Sequence, residues 1–162
     1  KVFVLNGGYK AWRLNGGKQS FGIKKNKSRK YKCNKIRKNL VINYNILNKL
    51  VIENNKNYLV LDARPKGRFL GKENEPRSNI GKGKIPKSKN FPFSCFDTNG
   101  FLKKKSEIRN IIKNYSNNNK YYVCSCGSGV AACNIALSLN LIGLSNWTVY
   151  DGSWTQWYLN NN

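Results

Sequence analysis

Apolar residues along the chain form short runs separated by segments of helical period. Leu40-Val41-Ile42 reads as a short buried strand, and Tyr44, Leu47, Leu50 and Val51 then recur at helical spacing, predicting a helix from about Asn43 to Asn54. Tyr58-Leu59-Val60-Leu61, ending at Asp62, has strand length. Ile108, Ile111, Ile112 and Tyr115 predict a helix from about Ser106, and Tyr121-Tyr122-Val123-Cys124 the next strand. Past a tight turn at Cys126-Gly127-Ser128-Gly129, a helix entered through Val130-Ala131-Ala132 carries the stripe Ile135, Ala136, Leu139 and Leu141. Trp147-Thr148-Val149-Tyr150 is the last strand, stopped by Asp151-Gly152. Strands alternating with helices, each apolar on both faces, predict an α/β fold with a parallel sheet covered by helices.

Two stretches interrupt the alternation. Residues 15–38 are polar, glycine-punctuated and dense in like charge around Lys24-Lys25-Asn26-Lys27-Ser28-Arg29-Lys30, the signature of an extended linker. Arg64 to Phe93 reads as a long irregular segment, and segments of that length are usually functional or disordered. An internal repeat links the chain's two ends: Val4-Leu5-Asn6-Gly7-Gly8-Tyr9-Lys10-Ala11-Trp12 aligns with Val149-Tyr150-Asp151-Gly152-Ser153-Trp154-Thr155-Gln156-Trp157. Each reads as a closing strand, an Asx-Gly turn and a short aromatic helix. Residues 1–14 are therefore expected to be the tail of an upstream copy of the domain at 39–159. The absence of Met and the start at Lys1-Val2-Phe3 likewise predict a piece of a longer product.

Composition removes several chemistries. The chain has no His, which excludes Ser-His and Cys-His catalytic pairs and imidazole-based zinc sites. Its net charge of +23 comes from 30 basic and 7 acidic residues. Only 7 of the basic residues are Arg, while Lys and Asn together fill 49 of 162 positions, a pattern of A-rich codons rather than of phosphate recognition. No nucleic-acid partner is expected; the field should draw in small anions and thiolates. No apolar run approaches the ~20 residues of a membrane span, and no membrane association is expected. Five cysteines, an odd number, argue for a reducing compartment rather than a disulfide framework.

The candidate chemistry lies in Cys126-Gly127-Ser128-Gly129-Val130, where a strand hands over to a helix. Backbone N–H groups in such a turn converge and add to the positive helix end, forming an anion cradle that stabilises a thiolate. In open α/β sheets ligands bind beyond the carboxyl ends of the strands, where this turn sits. A phosphatase loop would need Arg six residues after the cysteine; that position is Ala132, so sulfur transfer fits better. Cys133 and Cys124 read as core, Cys33 as a linker thiol and Cys95 as a loop thiol. Asp62 reads as a brace for the strand end or a partner for an arginine.

With these residues in view, the chain resembles the C-terminal domain of the two-domain rhodanese/3-mercaptopyruvate sulfurtransferase family over about residues 39–158. The matching segments include Leu61-Asp62-Ala63-Arg64, Gly67-Arg68-Phe69-Leu70-Gly71, Glu75-Pro76-Arg77, Asn90-Phe91-Pro92-Phe93, the Cys126 loop and Tyr150-Asp151-Gly152-Ser153-Trp154. The resemblance implies a rhodanese-like, five-stranded parallel sheet with helices on both faces. It implies Cys126 as nucleophile, Ser128 as a proton relay or loop brace, and Arg68 and Arg77 as the grip on a keto acid. Gly127, Gly129 and Val130 would contribute backbone N–H groups. The loop is similar to the mercaptopyruvate type, implying 3-mercaptopyruvate as sulfur donor, a Cys126 persulfide, a thiol acceptor such as thioredoxin (or cyanide), and no cofactor. The expected location is cytoplasmic or mitochondrial. Thiosulfate as donor, and a non-catalytic binding domain, stay open as alternatives.

Overall fold

The computed structural model describes residues 2–23, 27–32, 37–115 and 120–162. After a short helix α1 (Gly8–Leu14), the domain runs β1 (Val41–Ile42), α2 (Tyr44–Ile52), β2 (Tyr58–Asp62), a short α3 (Lys66–Phe69) and β3 (Lys89–Asn90). A small antiparallel hairpin of β4 (Asp97–Thr98) and β5 (Phe101–Leu102) follows. Then come α4 (Lys105–Tyr115), β6 (Tyr121–Ser125), α5 (Ala132–Leu141), β7 (Trp147–Tyr150) and α6 (Ser153–Asn161). The main sheet is parallel throughout, in the order β1-β7-β6-β2-β3.

Both faces of the sheet are covered, as the doubly apolar strands require. Leu59, Leu61, Tyr122, Cys124 and Val149 pack against Ile108 and Ile112 of α4 and Ala132, Ile135 and Leu139 of α5. The alternate residues Val60, Val123 and Tyr150 pack against Leu47 of α2 and Trp154 and Trp157 of α6. Asn43 starts α2 as predicted, its side chain accepting a hydrogen bond from the Ile46 N–H.

The strand order places a topological switch between β2 and β6. From β2 the chain moves outward to β3, whereas from β6 it moves the other way to β7. The loops leaving β2 and β6 therefore diverge and open a crevice at their carboxyl ends. Ala63-Arg64 and Ser125-Cys126 sit at that point.

Three expectations need correction. The first strand is only Val41–Ile42: residues 38–40 form a 3-10 turn, and Val41 is 49 % exposed because β1 is an edge strand paired only with β7. The segment Arg64–Phe93 is not structureless, since it contains α3 and the fifth strand, β3. That strand is the polar pair Lys89-Asn90 at the other edge, invisible to a hydrophobic-period search. In the amino-terminal repeat the helix α1 forms, but residues 2–5 pair with no strand among the described residues. A strand requires a ladder partner, and the main sheet offers none there.

Ile135 is fully buried in the α4–α5 layer. Ile135→Ala should lower unfolding free energy by about 3 kcal/mol through lost burial and a residual cavity, read from the shift in denaturant midpoint.

Candidate active site

Cys126 follows the last residue of β6 and is 3 % exposed, lying at the floor of the crevice rather than on the surface. The turn after it is shaped by contact with the start of α6. Ser153 is fully buried with φ +51, a left-handed conformation costing about 1 kcal/mol for a residue with a side chain. Its hydroxyl accepts hydrogen bonds from the N–H groups of Cys126 and Gly129, both at 3.0 Å, and donates to the Tyr150 carbonyl at 2.9 Å. One donor and two acceptor sites are thereby all used, and the Cys126 Sγ, 3.9 Å away, is a neighbour rather than another full partner. The next two residues of α6 continue the clamp: the Trp154 N–H donates to the Cys126 carbonyl and the Thr155 N–H and hydroxyl to the Gly127 carbonyl.

Gly129 has φ +81, and a Cβ there would lie 2.6 Å from the Asp151 carbonyl oxygen, so the turn needs glycine at this point. Its N–H is committed to Ser153 and does not join the cradle, correcting the role expected for it. The N–H groups of Gly127, Ser128, Val130 and Ala131 have no acceptor among the described residues. Four uncommitted backbone donors thus lie in the turn that follows the buried Cys126. Val130 presents a 78 % exposed side chain, consistent with a main-chain role. The Ser128 hydroxyl is half-buried and makes no hydrogen bond among the described residues, so no brace through it is seen.

The second wall comes from the loop after β2. Arg64 is buried to 1 % exposure, its guanidinium bonded to both Asp62 carboxylate oxygens, to Glu75 Oε1 at 2.7 Å and to the Gly83 carbonyl at 2.9 Å. It also lies over the Trp154 ring, 5.3 Å from the centroid. Burial alone would depress the Arg64 pKa, but the bonds and charges of Asp62, then of Glu75, outweigh it and raise it. Glu75 in turn holds Arg68 through both carboxylate oxygens. Arg68 lies against the cysteine loop: a Cβ on Gly127 would be 2.8 Å from Arg68 Nη2. Asp62 is the brace expected of it.

Arg77 stands apart. It is exposed, two residues beyond Glu75, and forms no ion pair among the described residues. Cys124 is buried as expected, and burial raises its pKa well above that of a free thiol. Cys133 is not core: it is exposed, its thiol donating to the Gly129 carbonyl at 3.5 Å. The buried stripe of α5 runs through Ala132, Ile135, Ala136 and Leu139, and Cys133 falls one position off it. Cys95 closes a short 3-10 turn and is half-buried, while Cys33 lies outside the described residues. No three His, Cys, Asp or Glu side chains among the described residues are placed to hold a metal ion.

Arg64, Glu75 and Ser153 escaped the sequence reading as site builders. The available signal was scarcity: with 7 acidic residues against 30 basic ones, two carboxylates near two of the few arginines are conspicuous.

The family model for the rhodanese-like domain matches residues 46–160. The chain belongs to this family. The rhodanese-like domain is 45 % identical over 106 residues to 3-mercaptopyruvate sulfurtransferase of Mus musculus, covering 64 % of this chain and 36 % of the relative. It is 35 % identical over 162 residues to thiosulfate sulfurtransferase of Gallus gallus, covering 98 % of this chain and 54 % of the relative. The chain thus spans about a third to a half of the length of these curated relatives. Among solved structures, the Tum1 protein of Saccharomyces cerevisiae superimposes with a TM-score of 0.69 at 31 % identity, over 75 % of this chain and 44 % of that one.

Two expectations test this geometry. Burial would raise the Glu75 pKa, but hydrogen bonds from Arg68 and Arg64 prevail and hold it below the usual carboxyl value. Its stabilisation is then complete above the unfolded-state value of about 4.3 and is lost as pH falls through the lower folded-state value. Glu75→Gln should cost about 3 kcal/mol at pH 7, with the gap to wild type closing below pH 4 in denaturant titrations. Ser153→Ala strands two buried N–H donors and should cost about 2–4 kcal/mol, visible as a lower melting midpoint.

Proposed function

We propose that this domain is the sulfur-carrying half of a sulfurtransferase, taking sulfur from 3-mercaptopyruvate onto Cys126 and passing it to a thiol such as thioredoxin, or to cyanide in an assay. The observation that carries this reading is the set of four uncommitted backbone N–H groups beside Cys126, with Arg68 held by Glu75 against the same loop. A thiolate there attacks the donor's sulfur. The donor's C–S bond breaks, its electron pair passes to carbon as the enolate of pyruvate, and a proton completes pyruvate. Cys126 is left as a persulfide. The loop N–H groups stabilise the sulfur anion, in the manner of a preorganised oxyanion hole. Arg68 is the cation proposed to meet the keto-acid end, joined by the unpaired Arg77, and the free Ser128 hydroxyl is the proposed proton relay to the enolate. An acceptor thiolate then attacks the outer sulfur, and the pair returns to Cys126 Sγ.

Thiosulfate as donor is the second reading. It is favoured by the reach of the match, since thiosulfate sulfurtransferases align over 97–98 % of the chain and the mercaptopyruvate enzymes over 64 %. The loop from Gly127 to Ala132, which has no basic side chain to hold an inorganic dianion, supports mercaptopyruvate. An upstream domain of the same chain, covering the crevice, and a cytoplasmic or mitochondrial location complete the proposal.

Treated with 3-mercaptopyruvate, the full-length protein should gain about 32 Da on Cys126, one sulfur atom, and release pyruvate, while Cys126→Ser gains nothing. An adduct with thiosulfate alone moves the assignment to that donor. No adduct with either makes this a binding domain.

A further inference from the structure

The cysteine loop carries no basic side chain, yet the crevice is rimmed by charge. Nine of the 30 basic residues, but only two of the seven acids, fall in the 26 residues from Arg64 to Lys89. Codon bias spreads lysine along the whole chain and does not account for this local excess. Arg64, Glu75 and Arg68 neutralise one another within the buried network. Lys66, Lys72, Arg77, Lys82, Lys84, Lys87 and Lys89 remain exposed, with Glu73 as the one exposed acid of the segment.

Two of these cations sit on a fixed piece of backbone tied to Cys126. The Trp154 indole donates to the Gly81 carbonyl at 2.9 Å, while the N–H of the same residue donates to the Cys126 carbonyl at 2.9 Å. Gly83, with φ +145, lies so close to the Trp154 ring that a Cβ would be 2.8 Å from it, and its carbonyl is held by Arg64. Ile85 anchors the segment in the core. Lys82 and Lys84 flank Gly83, and Lys84 Nζ lies 4.8 Å over the ring of Phe69, next to Arg68. One tryptophan thus connects these two lysines to the nucleophile.

We infer that Lys82 and Lys84 bias the transfer among low-molecular-weight thiols, favouring those whose skeleton carries a negative charge over neutral or cationic ones. This rests on the sulfur-transfer reading above. Cations carried on a segment tied to the Cys126 loop raise the local concentration of an approaching anion and lower that of a cation. The step itself balances: the acceptor thiolate attacks the outer persulfide sulfur, the S–S bond breaks and Cys126 leaves as thiolate.

The experiment is single-turnover transfer from the preformed Cys126 persulfide of the full-length protein to three thiols sharing one two-carbon skeleton. These are 2-mercaptoethanesulfonate, 2-mercaptoethanol and cysteamine. Each rate in K82Q/K84Q is divided by the wild-type rate with the same thiol, so differences in thiol pKa cancel. All three thiols attack as thiolates, so 2-mercaptoethanol sets the baseline, and two charges acting at about 10 Å through water predict that the sulfonate thiol falls about fourfold further than it at low salt. Cysteamine, whose ammonium offsets its thiolate, should fall less than 2-mercaptoethanol, and these differences should vanish near 1 M salt. The control, K56Q/K120Q, removes the same charge at the opposite ends of β2 and β6, about 16 Å away, and should leave all three rates unchanged. An equal fall for all three thiols, or an equal effect from the control, overturns the inference while leaving sulfur transfer intact. Failure to form any Cys126 persulfide refutes the sulfurtransferase reading and this inference with it.

Discussion

The site depends on a buried arginine. Arg64 joins Asp62 at the end of β2 to Glu75 and Gly83 in the following loop, and covers Trp154 at the start of α6. A buried ion pair adds little net stability over a well-packed apolar substitute, but removing one partner leaves an uncompensated charge and is expensive. The network therefore acts mainly as a constraint. It allows one arrangement of the loop over residues 64–85, and that arrangement delivers Arg68 to Gly127.

The other wall is built from hydrogen bonds to main chain. Ser153, Trp154 and Thr155 all bond to the loop that begins at Cys126, so the start of helix α6 and the Cys126 turn are tied together. The left-handed backbone at Ser153 is the strain that the contact sustains, offset by saturating its hydroxyl. What remains uncommitted among the described residues is four N–H groups and a thiol. A preorganised set of donors needs no rearrangement when negative charge moves onto sulfur.

Much of this was legible in the chain. The helical stripes and doubly apolar strands predicted the layers, because burial on both faces leaves a period-free apolar run that only a covered parallel sheet satisfies. The Cys-Gly-Ser-Gly turn was legible because strand-to-helix turns need small residues. Residues 64–93 were not: α3 and β3 are short, polar and held by Arg64, Asn90 and the sheet edge rather than by periodicity. Cys133 was misread because the start of α5 at Ala132 sets its phase, and a shift of one residue turns a side chain by about 100°.

Local chemistry thus determined which residues can react and what kind of layered domain carries them, since side-chain type and spacing are properties of the chain alone. Only tertiary structure decided that Gly129 spends its N–H on Ser153, that Arg68 rather than Arg77 lies against the loop, and that Trp154 ties the segment 81–83 to the Cys126 turn. Those outcomes depend on contacts between residues dozens of positions apart. Which partner a buried polar group finds follows from the packing of the whole domain, and no spacing along the chain encodes it.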